Sequence, residues 1–75
     1  MIHEFDNVVL TDNMPEYHLQ RGDIGTVVLV HPTGGFEVEF VTLDGQTLAV
    51  ATLEPSQVRP VARGEIAHAR AVEAA

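Results

Sequence analysis

The chain has 75 residues and carries 11 acids against 4 bases, for a net charge of −7 with neutral histidines. That length allows one small domain, and a hydrophobic share of 45% is too high for a disordered chain of this charge. The absence of Cys excludes disulfides, thiolate metal sites and thiol nucleophiles.

Glycines and prolines divide the chain into short β-branched or aromatic runs, the pattern of a small all-β domain. Residues 5–11, centred on Val8, Val9 and Leu10, form the first predicted strand. Residues 12–23 have no clean period and read as a long loop, with Leu19 and Tyr17 as its anchors to the core. Residues 24–31 give the clearest strand, in which Gly25 marks a bend or bulge near its start. After the turn Pro32-Thr33-Gly34-Gly35, residues 36–41 alternate strictly: Phe36, Val38 and Phe40 face one way, Glu37 and Glu39 the other. Asp44-Gly45 is a hairpin signal leading into a fourth strand at 46–53. Residues 53–57 read as one helical turn and 58–61 as a last strand, whose Pro60 must sit where no ladder donor is needed. The Ala-rich residues 62–75 are expected to be a frayed helix starting after Gly64, or disordered, because so short a helix is marginal alone in water.

Five short strands, a long loop after the first and a one-turn helix before the last predict a five-stranded SH3-like barrel over 1–61 with an Ala-rich tail at 62–75. No transmembrane run and no signal peptide is visible, so a cytoplasmic setting is expected.

The chemistry-bearing residues form no catalytic motif. The histidines at 3, 18, 31 and 68 lack metal-ligand spacing, and no metal or cofactor is expected. Ser56 has no nucleophile-elbow context, and Gly34-Gly35 is not followed by the Lys of a phosphate loop. Asp12, Glu16 and Asp23 surround the long loop, but a chain this small has little room for a pocket that would separate their pKa values, and Asp23 reads as a turn residue. Arg21, Arg59, Arg63 and Arg70 are scattered and there is no Lys, so a nucleic-acid partner is disfavoured.

The run from Asp6 to Leu53 resembles a family of small bacterial domains of unknown function. The residues that carry it are Asp6, Val8 and Leu10; Pro15-Glu16, Leu19 and Gly22-Asp23-Ile24-Gly25-Thr26-Val27-Val28; Glu37-Val38-Glu39-Phe40; and Asp44-Gly45, Thr47 and Thr52-Leu53. Residues 22–28 are also similar to the turn and strand of KOW domains and to the barrel of the nitrile hydratase β subunit. The resemblance implies an SH3-like fold, no assigned activity, and a small partner of a neighbouring gene product, which includes an antitoxin or immunity role.

The expected function is therefore non-catalytic binding of a basic protein through an acidic surface. Met14, Glu16, Tyr17 and His18 of the loop, together with Glu37 and Glu39, are the candidate contact residues. The alternative is a structural accessory subunit or homodimer; a small hydrolase or nucleic-acid binder ranks last.

Overall fold

The computed structural model describes residues 1–72. The fold is all-β: strands β1 (Asn7–Leu10), β2 (Ile24–Val30), β3 (Phe36–Val41), β4 (Thr47–Leu53) and β5 (Val58–Pro60) form one antiparallel sheet in the order β4-β3-β2-β1-β5. The only helical pieces among the described residues are two 3₁₀ turns, Pro15–Tyr17 and Pro55–Gln57. The middle three strands form a meander through short turns. Here Gly34 and Gly45 take positive φ of 106° and 94°, which side chains with a Cβ adopt at a cost.

Alternation decides what is buried. Phe36, Val38 and Phe40 turn inward with Val8, Leu10, Val27, Ala51, Leu53 and Val58 to build the core. Gly25 faces the same core so closely that its position is filled by Val38 and Phe40 of β3. Both hairpins carry a register break, between Val27 and Leu29 in one and between Phe40 and Val41 in the other. These breaks bend the sheet around the core. Beyond the first break the apolar stretch Val28-Leu29-Val30 stays exposed.

The loop after β1 is tightly organised. Met14 and Leu19 bridge each other across the 3₁₀ turn and both enter the core, while Tyr17 packs against it half-buried. Asp23 accepts a hydrogen bond from the Gln20 amide, and Gly22 N donates to Leu10 O. The first strand is shorter than its sequence suggests: Phe5 takes a φ of 72° with its side chain exposed, although its amide still donates to Val27 O.

No helix forms in residues 62–72, so the helical form of the expected tail is absent there. Gly64 takes a left-handed φ of 82°, and the Glu65 carboxylate turns back to accept from Ala62 N and from the Arg59 guanidinium. The chain then runs irregularly to Arg70, which binds the Asp23 carboxylate with two N–H groups and donates to His18 O. These two ion pairs tie the segment to the sheet where an isolated helix would have had only its own weak propensity. Residues 73–75 of the expected tail lie outside the described residues.

Candidate functional site

A hydrogen-bonded set of polar side chains lies on the outer face of β2-β3-β4. The register sets Glu37 between Leu29 and Thr52, and Glu39 between Thr26 and Val50. Side chains directly opposite each other share a face. Two carboxylates therefore sit in the middle strand, flanked by exposed Leu29 and Val50 at 45% and 51% accessibility.

Neighbouring side chains hold both acids in place. The Glu37 carboxylate lies 2.6 Å from His31 Nε2 and accepts from the Thr52 hydroxyl, which sits 2.8 and 2.9 Å from its two oxygens. The hydrogen bond with His31, followed by that from Thr52, lowers the Glu37 pKa below its ordinary value of 4.5. Glu39 accepts a 2.7 Å hydrogen bond from Thr47 Oγ1. Beyond them, Asp44 accepts from the Thr42 hydroxyl in the β3–β4 turn. The Glu37 and Glu39 carboxylates are thus oriented and partly exposed, with unused lone pairs for an Arg or Lys donor.

The loop residues proposed from the sequence do not join this face as a group. Met14 is a core residue at 8% accessibility, its sulfur 3.6 Å from Gln57 Nε2, and so is not the surface contact expected from the sequence. The reason is the Met14–Leu19 bridge, which pulls the start of the loop inward. Glu16 and His18 are exposed, whereas Tyr17 is half-buried against the core. The loop packs through Met14, Tyr17 and Leu19 on the inner side of the sheet; Glu37 and Glu39 project from the other side. Sequence reasoning missed Leu29, Val50, Thr52 and His31 as members of the acidic face. Only the strand register reveals them.

Among the described residues no group of three or more His, Cys, Asp or Glu is placed to hold a metal ion, and no helix is long and apolar enough to cross a membrane. The family model described as Domain of unknown function (DUF4926) matches residues 4–60. No curated protein and no solved structure shows significant similarity to the chain.

Proposed function

The chain belongs to the DUF4926 family of domains of unknown function, and from that premise we propose that it is a non-catalytic module that binds a basic partner protein through the outer face of β2-β3-β4. The observation that carries this reading is the pair Glu37 and Glu39. Both carboxylates are held by neighbouring hydroxyls, and half-exposed apolar side chains border them. Charged acceptors fixed before binding lose less side-chain entropy on contact, and the surrounding apolar area adds desolvation energy. The net charge of −7 steers a cationic partner toward the domain.

The strand order, in which β5 pairs with β1 beside a three-strand meander, is the order a small SH3-like barrel requires, and it supports that finer reading of the fold. A partner encoded nearby, with a basic active site covered by this face, gives the sharper antitoxin-like or immunity-like form, acting in the cytoplasm. Co-expression of the full chain with the adjacent gene's product tests it. A salt-sensitive complex is expected, weakened at least ~10-fold by Glu37→Lys with Glu39→Lys, as lost charge-assisted bonds imply. No complex, or one indifferent to the double substitution, overturns the reading.

A homo-oligomeric scaffold is the second reading, favoured by β4. This seven-residue edge strand has no charged side chain to discourage pairing with another copy. Light scattering at increasing concentration separates the two readings: a dimer that survives the double substitution favours the scaffold.

A further inference from the structure

On the same outward side of the sheet as the acidic face but further along it, over β1 and β5, lies an open cleft of roughly 560 Å³, with residues 61–70 forming one wall. Its volume falls in the range of small-molecule sites, about 300–1,000 Å³. The floor is apolar. Val9 is only 7% accessible although it points away from the core, and Ile24 pairs beside it. Ile66 and Val61 extend the apolar lining up the wall.

The rim reverses the charge of the molecule. Arg21, Arg59 and Arg70, three of the chain's four bases, all line this cleft, and among the described residues Asp23 and Glu65 are the only acids that do. Asp23 is engaged by Arg70 and Glu65 by Arg59, each through two N–H groups. One guanidinium is left uncompensated. Among the described residues the Arg21 side chain makes no ion pair and no hydrogen bond; only its backbone amide is engaged, by Asn13. A narrower recess of about 200 Å³ shares Val9, Arg21, Gly22 and Arg59 with the main cleft, so Arg21 and part of the apolar floor line one recess.

We propose that this cleft binds a small amphiphilic carboxylate, its headgroup on Arg21 beside Arg59 and its hydrocarbon body along Val9 and Ile24. A planar guanidinium fork matches a carboxylate in two parallel hydrogen bonds. One uncompensated positive charge suits a monoanion. A polyanion would meet the repulsion of the other acids without further cations to balance it. The site is independent of the acidic face and does not require that face to bind protein.

Amide chemical shifts of the full chain, titrated with hexanoate and separately with hexanamide, test the proposal. Saturable shifts at Val9, Arg21, Gly22 and Ile24 are expected with hexanoate, and at least ~10-fold weaker binding with the neutral amide, the loss of one charged bidentate contact. Arg21→Gln removes the charge from an exposed, unpaired side chain and leaves the fold intact; it should weaken hexanoate by a similar factor and leave hexanamide unchanged. Equal binding of acid and amide, no saturation with hexanoate, or an Arg21→Gln chain that binds hexanoate as the parent does would each overturn the assignment.

Discussion

Gly25→Ala perturbs the fold at its most crowded glycine. A Cβ built on Gly25 would lie 2.6 Å from Val38 Cγ1, 2.9 Å from Phe40 Cε1 and 3.0 Å from the Glu39 carbonyl oxygen. None of the three can yield freely. Val38 and Phe40 are buried in the core, Val38 is stiff about χ1, and the carbonyl belongs to the neighbouring strand. Overpacking of this kind costs about 1–3 kcal/mol, against which the smaller conformational freedom of Ala in the unfolded chain returns roughly 0.4–1 kcal/mol. The expected net loss is about 1.3 kcal/mol, or roughly 5–10 °C in Tm for a domain of this size. Thermal and urea unfolding followed by circular dichroism measure it. Val38→Ala, which opens a cavity on its own, should partly relieve the clash. The double variant should then be more stable than the two single losses predict by about 1 kcal/mol. A Gly25→Ala protein as stable as the parent, or strict additivity with Val38→Ala, refutes the reasoning.

Met14→Ala should cost about 2–5 kcal/mol by urea unfolding, since it vacates the core where the long loop enters; a surface methionine would cost almost nothing. Arg70→Ala should change global stability by only ~0–1 kcal/mol, as partly exposed ion pairs do, while hydrogen exchange in residues 62–70 speeds up. The Glu65 carboxyl, held down by Arg59 and by the Ala62 amide, should titrate at about 2 against an ordinary value of 4.5, and Arg59→Ala should bring it back up, as read by carboxyl carbon shifts. Because its folded pKa lies below the unfolded one, its contribution is complete above about 4.5 and is lost as the pH falls toward about 2. The ordering of residues 62–65 should therefore loosen in that window. Glu37 is lowered in the same sense, so its hold on Thr52 should persist below the pH at which an isolated glutamate protonates.

Much of the architecture was legible in local pattern. Strict alternation from Phe36 to Val41 placed β3 to the residue, and Asp44-Gly45 located its turn. The composition of the acidic face was not legible, because register passes through irregularities that no periodicity announces. Val41 pairs with Thr47 at the end of the hairpin; continuing that count would set Glu37 opposite Ala51. The break after Phe40 shifts the count by one and sets it opposite Thr52, whose hydroxyl then reaches the carboxylate. The Ala-rich segment misled for another reason. Helix propensity is a weak prior, and two Arg–carboxylate pairs, one to nearby Arg59 and one to distant Asp23, overrode it. Nothing in the spacing of Asp23 and Arg70 signals that they touch.

The pairing of the first strand with the last has a consequence for how the molecule is made. Val9 must find Arg59 across fifty positions, whereas β2, β3 and β4 meet through short turns. On a ribosome the central meander can zip together early, but β1 has only one of its two neighbours until Pro60 clears the exit tunnel. Until then the nascent polypeptide carries an unfinished ribbon with Val8 and Leu10 incompletely covered, and the final three-residue strand acts as the clasp that completes it.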